Sequence, residues 1–264
     1  MINGILIYDK ERYIVNKWFR NHIIEKSRSF GMKISLVFDE DLYNFPLENI
    51  DFSIVRLTNP SINKYLEENS IRCFNNYKTS LISNDKLKTY EFSKKNNIKT
   101  MKTSCNVDDF SFPFVTKHRF GHGGNQVFLI NNEKEKQYFL KNINDGSYIF
   151  QKLSTNPGYD LRVYVLGNTI IDAVLRSSKN DFRANYTLGG EISIVDEIDS
   201  YLYEDIYKIT SSLSPDLIGI DFIKNKGRYI FNEIEDVVGT RMLYKLREYD
   251  IVEKYLTYIY KKIE

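Results

Sequence analysis

Residues 217–235 read LIGIDFIKNKGRYIFNEIE, and this stretch decides the fold. Two apolar runs flank Lys226-Gly227, and a short glycine-containing loop between such runs is typical of a β-hairpin. Glu233 and Glu235 stand two positions apart on the second strand, so both side chains point to one face of the sheet. Asp221 lies on the first strand. Three converging carboxylates predict a hard oxygen site suited to Mg²⁺, although the pattern alone also fits carboxylates that merely face solvent.

The chain around this hairpin has a mostly antiparallel β pattern from Tyr148 onward. Gly167-Asn168 separates two strand-like runs and predicts another hairpin. Helical spacing predicts one helix over residues 204–213 and an amphipathic helix over residues 250–263. We therefore expect antiparallel strands covered by helices in this region of the chain.

The first third of the chain alternates strand and helix patterns. Strands are predicted at residues 4–9, 33–38, 51–57 and 70–74, and helices at residues 11–29 and 61–69. Such alternation predicts a small parallel sheet with helices on its faces.

The composition excludes several classes of protein. The 37 basic and 35 acidic residues leave a net charge of +2, which gives no reason to expect nucleic acid or an anionic membrane as a partner. No apolar run approaches the ~20 residues of a membrane span. Cys73 and Cys105 match neither a zinc site nor a redox pair. The N-terminus starts with a strand-like segment, so we expect no signal peptide and a cytoplasmic protein.

The loop Gly121-His-Gly-Gly124 is a second candidate site, predicted between a strand at 114–117 and a return strand at 126–130. Three glycines in four residues let the backbone approach a ligand closely and present amide hydrogens to phosphate. Lys117 ends the first strand and Lys86 opens the preceding helix, so both could hold the same phosphates. Each feature also has an ordinary explanation, as a turn or as a surface lysine.

Further polar residues mark the middle of the chain. Asp160 and Arg162 share one face of a predicted strand, and Asp181-Phe-Arg-Ala-Asn185 places an arginine and an amide in a loop. Arginine and asparagine together can bind carboxylate or phosphate oxygens. The alternative is an ordinary polar loop.

The order of these motifs resembles that of the ATP-grasp superfamily of carboxylate–amine ligases. The matching segments, in chain order, are NDKLKT at 84–89, NIKTMKT at 97–103, FPFVTK at 112–117, GHGGNQV at 121–127, QKL at 151–153, DLR at 160–162, DFRANYTLGG at 181–190, GID at 219–221 and FNEIE at 231–235. The similarity covers essentially the whole chain. It is greatest to the branch that contains the glutamate ligases modifying a ribosomal protein.

The resemblance implies an α/β fold (an α+β ligase domain), namely the ATP-grasp fold preceded by a small N-terminal parallel-sheet domain. The implied division is an N-terminal domain over 1–80, an N-terminal ATP-grasp subdomain with a glycine-rich lid over 81–147, and a C-terminal subdomain with a metal site over 148–264.

The resemblance also implies roles for individual residues. Mg²⁺, or alternatively Mn²⁺, would be held by Asp221, Glu233 and Glu235. ATP would be bound by Lys86, Lys117, Gly121, Gly123, Gly124, Gln151, Lys152, Leu153 and Asp160. The phosphoryl group and the reaction intermediate would be met by Arg183, Asn185, Arg162 and Arg176.

Two positions depart from the family pattern. Glu235 stands where the family usually has Asn, and the following loop lacks the usual Ser-Pro-Gly, which leaves the substrate open. Gly219 stands where some relatives carry an arginine, so another arginine must neutralise the intermediate.

The candidates for this task are Arg162, Arg176 and Arg183, and the first two lie on one predicted hairpin. A strict two-residue turn at Gly167-Asn168 pairs position 162 with position 173. That register sends Arg176 to the face opposite Arg162, unless a bulge intervenes.

The implied reaction joins a carboxylate to an amine through an acyl-phosphate and releases ADP and phosphate. The expected partners are small-molecule or peptide carboxylates and amines, and a homo-oligomer is left open. Arg56, Tyr186 and Arg241 are candidates for the substrate pocket. One alternative is a nucleotide-binding regulatory or structural protein on the same fold, and another is a kinase, which would release no phosphate.

Overall fold

The computed structural model describes residues 1–124, 126–143, 146–179, 181–184 and 189–264. The strands in these ranges are β1 (Ile2–Tyr8), β2 (Met32–Phe38), β3 (Phe52–Val55), β4 (Arg72–Cys73), β5 (Thr103–Ser104), β6 (Phe114–His118), β7 (Val127–Ile130), β8 (Tyr148–Lys152), β9 (Tyr159–Leu166), β10 (Thr169–Ser177), β11 (Glu191–Ile194), β12 (Leu217–Asn225) and β13 (Arg228–Glu235). The helices are α1 (Lys10–Val15), α2 (Lys17–Ser27), α3 (Pro60–Glu68), α4 (Tyr77–Ser83), α5 (Lys86–Lys95), α6 (Glu133–Asn142), α7 (Ser200–Leu213), α8 (Arg241–Leu246) and α9 (Ile251–Ile263). We call the three sheets the N-terminal sheet (β1–β4), the lid sheet (β5–β8) and the large sheet (β9–β13).

The N-terminal sheet is parallel, with strand order β2-β1-β3-β4. Both of its faces are buried, since Leu6 packs into one core with α2 whereas Ile5 and Ile7 pack into another with α3. Continuous apolar strands are typical of parallel sheets because helices cover both faces. The predicted parallel sheet is therefore confirmed, although its fourth strand is only two residues long.

The helix predicted over residues 11–29 is interrupted. α1 ends at Val15 and α2 begins at Lys17, because Asn16 between them has φ −99° and ψ 23°. Ile14 and Val15 supported the prediction of one helix, yet they are 73% and 72% exposed. The apolar spacing marked a buried face only in α2, where Phe19 and Ile23 enter the core, and the prediction of one continuous helix was wrong.

Helix α4 was not predicted from the sequence. Thr79 and Ser80 form its buried side, so no apolar periodicity marks it. Asn76 caps it by accepting a hydrogen bond from the backbone N–H of Thr79 at 2.8 Å. α4 leads to Asp85, the N-cap of the next helix, which places Lys86 at the first position of α5.

The lid sheet is antiparallel, with strand order β5-β8-β6-β7. The loop Gly121–Gly124 joins β6 to β7, as predicted. β8 was expected in the C-terminal subdomain, but it pairs with β6 and β5. The domain division remains a proposal, and this pairing favours moving the boundary at 147/148 to a point after Lys152.

The large sheet is antiparallel, with strand order β11-β10-β9-β12-β13, and both predicted hairpins are present. Helix α7 covers one face, where Leu161 and Val163 of β9 join Ile206 and Ile209 in a core. Side chains alternate along a strand, so Arg162 points to the other face.

One bulge interrupts the hairpin of β9 and β10. Ile170 lies opposite Val165 and Asp172 lies opposite Tyr164, so the intervening Ile171 has no partner on β9. An extra residue moves every later side chain of the strand to the opposite face.

The largest core joins the two ends of the chain. Leu6 and Phe19 of the N-terminal segment pack with Leu243, Ile251 and Leu256 of the C-terminal helices. The predicted amphipathic C-terminal helix is confirmed, since its apolar face enters this core. Across the described ranges, every helix is too short or too polar to cross a membrane.

Candidate active site

A cleft between the lid sheet and the large sheet brings the predicted site residues together. It is lined by Lys86, Lys117, Gly121, Gly123, Gly124, Gln151, Lys152, Leu153, Asp160, Arg162, Arg176, Arg183, Asp221, Glu233 and Glu235. The remaining predicted residue, Asn185, lies outside the described residues. The sequence did not single out the apolar lining residues Val115, Phe182 and Ile223, or the polar Asn232.

Two lysines meet at Glu233. The ammonium of Lys117 donates hydrogen bonds to Glu233 Oε1 at 3.1 Å and to Asn232 Oδ1 at 3.0 Å. The ammonium of Lys86 lies 3.7 Å from Glu233 Oε2 and donates to the carbonyl of Gly121. A cation on the helix α5 and a cation on the strand β6 are thus both held beside the glycine loop.

The three hairpin carboxylates line this cleft, and each is paired with a cation of the chain. Asp221 lies directly opposite Glu233, and Gly219 lies opposite Glu235. Among the residues that the structure describes, no three His, Cys, Asp or Glu side chains form a group able to hold a metal ion. The carboxylates converge on the cleft, but as members of ion pairs.

Two arginines hold Asp221. Arg162 donates from Nε to Oδ1 and from Nη2 to Oδ2, both at 2.7 Å, and Arg176 Nη2 donates to Oδ2 at 2.7 Å. Arg162 also reaches Glu235 Oε1 at 2.6 Å, and Arg176 donates to Asp160. The result is a buried row of alternating charges.

The bulge at Ile171 explains why both arginines face the cleft. In the strict register, position 162 would pair with position 173, but its observed partner is Val174. Arg176 therefore lies on the same face as Arg162, and the exception made for a bulge applies.

These pairs change the pKa values of the carboxylates. Burial alone would raise the pKa of Asp221, but the two arginine charges outweigh it and lower that pKa. The two lysines lower the pKa of Glu233 against the same effect of burial. Burial prevails at Asp160 and raises its pKa to about 6. Asp221 and Glu233 are therefore anions at neutral pH.

Gly219 leaves the space that Arg162 occupies. A Cβ atom at Gly219 would lie 2.8 Å from Val238 Cγ2 and 3.4 Å from both Cδ and Nε of Arg162. A side chain two residues before Asp221 therefore has no room. The guanidinium between Asp221 and Glu235 comes from β9 instead, which accounts for the glycine at this position.

The donor chemistry of the cleft fits Mg²⁺ on one condition. Magnesium is usually held by one or two carboxylates together with phosphate oxygens of the substrate. Glu233 and Glu235 can provide such carboxylates, although Lys117 and Arg162 each already hold one of their oxygens, whereas both oxygens of Asp221 accept hydrogen bonds from guanidinium groups. Asp221 can therefore join a metal only if an arginine releases it.

Arg183 connects the large-sheet side of the cleft to the glycine loop. Its Nη1 donates to the carbonyl of Gly124 at 2.9 Å, while its Nη2 donates to Asp181 Oδ2 at 2.7 Å. Arg183 thus reaches the loop that was expected to cover the nucleotide.

A second region of the cleft is neutral. We call it the neutral region and define it by Val115, Gln151, Leu153, Phe182 and Ile223; the charged region contains the ion pairs described above. A mostly apolar lining with a few polar groups is typical of small-molecule sites.

Arg56 directly follows strand β3 of the N-terminal sheet and lies next to Val238. It is only 6% exposed, its Nη2 donates to the carbonyl of Val238 at 3.2 Å, and its guanidinium lies over the ring of Phe19. Its Nε has no hydrogen-bond partner, and among the described residues no carboxylate pairs with it. Of the other two substrate-pocket candidates, Arg241 is exposed at the start of α8 and Tyr186 lies outside the described residues.

Comparison with known proteins agrees with this architecture. A family model described as a RimK-like ATP-grasp domain matches residues 77–259. A homolog of protein MG011 from Mycoplasma pneumoniae is 30% identical over 253 residues, covering 92% of this chain and 87% of that protein. The alpha-aminoadipate–LysW ligase LysX of Sulfurisphaera tokodaii is 24% identical, covering 100% of this chain and 98% of that protein.

A solved structure gives the same result for the fold. The D-alanine–D-alanine ligase from Bacillus anthracis, complexed with ATP, superposes with a TM-score of 0.76 over 100% of this chain and 96% of that chain. Its sequence identity is 14%, so this likeness concerns the fold alone.

Proposed function

This chain belongs to the RimK-like ATP-grasp family, and on that premise we propose that it is an ADP-forming carboxylate–amine ligase. The observation that carries the proposal is the meeting of two lysines, two arginines and three carboxylates in one cleft beside a glycine loop. Phosphoryl transfer needs little covalent chemistry from a protein. It needs cations and positioning, which this cleft supplies.

In the first step, an oxygen of the substrate carboxylate attacks the γ-phosphorus of ATP. The bond from that phosphorus to the β,γ-bridging oxygen breaks, ADP leaves, and an acyl-phosphate forms. Lys86 and Lys117 bind the phosphates, and Arg183, together with Asn185, meets the transferred group. The loop Gly121–Gly124 covers the phosphates and excludes water, which would otherwise hydrolyse the acyl-phosphate.

In the second step, a neutral amine attacks the acyl carbon. The C–O bond to phosphate breaks, an amide forms, and the proton lost by the amine leaves with the phosphate or solvent. Arg162 and Arg176 neutralise the oxyanion that develops on the intermediate. Both hold Asp221 or Asp160 through Nε and Nη2, so Nη1 of each arginine is the donor left for a substrate oxygen.

We propose that Asp221, Glu233 and Glu235 hold Mg²⁺, with Mn²⁺ as an alternative. When bound, the metal supplies charge neutralisation at the phosphate oxygens. Gln151, Lys152 and Leu153 line the nucleobase pocket, and Asp160 contributes to the nucleotide side of the cleft.

We infer that the substrate is an amino acid or a peptide. A buried guanidinium is suited to a carboxylate ligand, and Arg56, which hydrogen-bonds no carboxylate among the described residues, lies next to the loop that follows Glu235. The name of the relative LysX, an alpha-aminoadipate–LysW ligase, supports an amino acid joined to another molecule.

The test is product release from MgATP in the presence of pooled amino acids and peptides. A ligase releases ADP and inorganic phosphate in equal amounts, and only when both a carboxylate and an amine are present. ADP without phosphate would indicate a kinase. Binding of ATP with no turnover on any pool would indicate a nucleotide-binding protein without ligase activity and would contradict the proposal.

A further inference from the structure

Thr103 stands next to Gln151 on the edge strand of the lid sheet. The two residues are direct cross-strand partners on β5 and β8, and they are 5% and 6% exposed. Gln151 lines the cleft and pairs on its other side with Val115, which also lines it. Thr103, on the edge strand β5, thus lies beside Gln151, the polar side chain of the neutral region.

The hydrogen bonds between these residues have a fixed direction. The hydroxyl of Thr103 donates its single proton to the carbonyl of Met101 at 3.2 Å. Its oxygen can therefore only accept from Gln151, and the atom of Gln151 that lies 3.1 Å away is the amide nitrogen Nε2. These two hydrogen bonds together favour the amide orientation in which Nε2, and not Oε1, faces Thr103.

The consequence is a single free acceptor in the neutral region. With Nε2 directed at Thr103, the other amide atom of Gln151 is the carbonyl oxygen Oε1, to which no described residue donates a hydrogen bond. Because Gln151 lines the cleft, Oε1 can accept a hydrogen bond from a donor group on a ligand. The ligand chemistry that meets this need is an exocyclic amino group on a flat heterocycle.

We propose that Thr103 is a positioning residue that selects 6-amino purines over 6-oxo purines by fixing the amide of Gln151. The proposal rests on the nucleotide site proposed above. Adenine presents a donor at its 6-position, whereas hypoxanthine presents an oxygen that would face Oε1. Turning the amide to suit hypoxanthine would place Oε1 against the Thr103 oxygen, or would deprive Met101 of its hydrogen bond.

The experiment compares the binding of ADP and inosine diphosphate by calorimetry in the presence of Mg²⁺. The wild-type protein is expected to prefer ADP by roughly tenfold or more, since one misdirected buried hydrogen bond is at stake. In Thr103→Val the amide can turn, so the preference is expected to fall to about threefold or less. Thr103→Ser keeps the hydroxyl and is expected to keep the preference.

Thr116→Val is the matched control. Thr116 lies on the neighbouring strand β6, is fully buried, and its hydroxyl oxygen has no hydrogen-bond partner. The substitution makes the same exchange of hydroxyl for methyl without touching Gln151, and the ADP preference is expected to remain.

Three results would overturn the proposal: equal affinities in the wild-type protein, an unchanged preference in Thr103→Val, or the same loss in Thr116→Val. These measurements need no turnover. A chain that prefers ADP but ligates nothing would support the role of Thr103 and contradict the proposed ligase activity. A protein that ligates its substrates but binds ADP and inosine diphosphate equally would support the ligase activity and contradict the role of Thr103.

Discussion

The neutral and charged regions of the cleft hold their polar side chains in different ways. In the neutral region each hydrogen bond has one direction, from the Gln151 amide to Thr103 and from Thr103 to Met101. In the charged region, Asp221 is shared by a pair of arginines and Glu233 by a pair of lysines. The neutral region therefore contains a chain of hydrogen bonds with fixed directions, whereas the charged region contains ion pairs whose partners can exchange.

This difference separates two tasks within one site. A relay of neutral bonds keeps its geometry before and after a ligand arrives, so it suits selection among similar ligands. Buried ion pairs must be broken when a triphosphate and a metal enter, and each group that loses its partner has to gain another. The charged region should therefore control catalysis and affinity, and the neutral region the choice of nucleobase.

The largest effect is expected from Asp221→Asn in the charged region. The change removes a proposed metal ligand and the shared partner of two arginines. Phosphate release should fall by roughly a hundred- to a thousandfold, because metal-assisted charge stabilisation is worth several kcal/mol. Steady-state assays of the purified variant measure this.

Asp172→Asn is the control for that variant. Asp172 is another buried aspartate of the large sheet and accepts hydrogen bonds from Arg247 at 2.8 and 3.0 Å, but it does not line the cleft. The control should lose stability and keep its turnover. Equal losses of turnover in both variants would mean that Asp221 acts only through the fold.

A smaller effect is expected from Lys117→Ala. Loss of one phosphate-facing cation should weaken ATP binding by about 2–3 kcal/mol, or roughly 30- to 150-fold, if the contact is a charge-assisted hydrogen bond. Calorimetric titration with ATP measures the change. The exposed Lys134 on α6 supplies the control, Lys134→Ala, which should bind like the wild-type protein. Unchanged affinity in Lys117→Ala would remove Lys117 from the proposed phosphate site.

The two regions should also respond differently to pH. The arginines lower the pKa of Asp221 below the ordinary value of 3.8. Its stabilising contribution is therefore complete above that value and is lost as the pH falls through the lower folded-state pKa. The destabilisation by Asp221→Asn should be equal at about pH 8 and about pH 5.5 and should shrink below about pH 4.

Thr103→Val provides the contrast, because neither partner in its hydrogen bonds titrates in this range. Its destabilisation should stay constant across the same pH values. Urea denaturation of the wild-type protein and both variants measures these differences. A pH-independent effect of Asp221→Asn would contradict the ionic character of the charged region.

The smallest effect is expected from Glu235→Asn, which restores the residue usual in the family. The variant should remain active but require several-fold more Mg²⁺, because one carboxylate near the metal becomes a neutral amide. Glu235→Ala should require still more, since it also loses the oxygen. If wild type and Glu235→Asn share one magnesium titration curve, Glu235 serves to hold Arg162 and is not a ligand.

Much of the large sheet could be read from the sequence because its signals are local. The two-residue turn at Lys226-Gly227 pairs Asn225 with Arg228 as a strict hairpin requires, but a bulge at Asn232 then shifts the register and places Asp221 opposite Glu233. Residues two apart on a strand share a face whatever surrounds them. Glu233 and Glu235 thus share a face by spacing alone, whereas their convergence with Asp221 depends on the bulge at Asn232.

The features that the sequence did not reveal depend on contacts between distant segments. The bulge at Ile171 has no sequence mark, since isoleucine also suits a regular strand. Thr103 belongs to a strand of two residues that exists only through its pairing with β8. Helix α4 is stabilised by buried polar side chains and has no apolar stripe. The pairing of Arg162 with both Asp221 and Glu235 required the three-dimensional register of β9, β12 and β13.

The unpaired Ile171 has a consequence for how this protein can change over generations. Removing that single codon would turn Arg176 from the cleft toward the apolar core under α7, without altering any arginine codon. A lineage could therefore gain or lose the second arginine of the site through a three-nucleotide insertion or deletion. When relatives are aligned, a one-residue gap at this point changes the chemistry of the cleft as much as a substitution of the arginine itself.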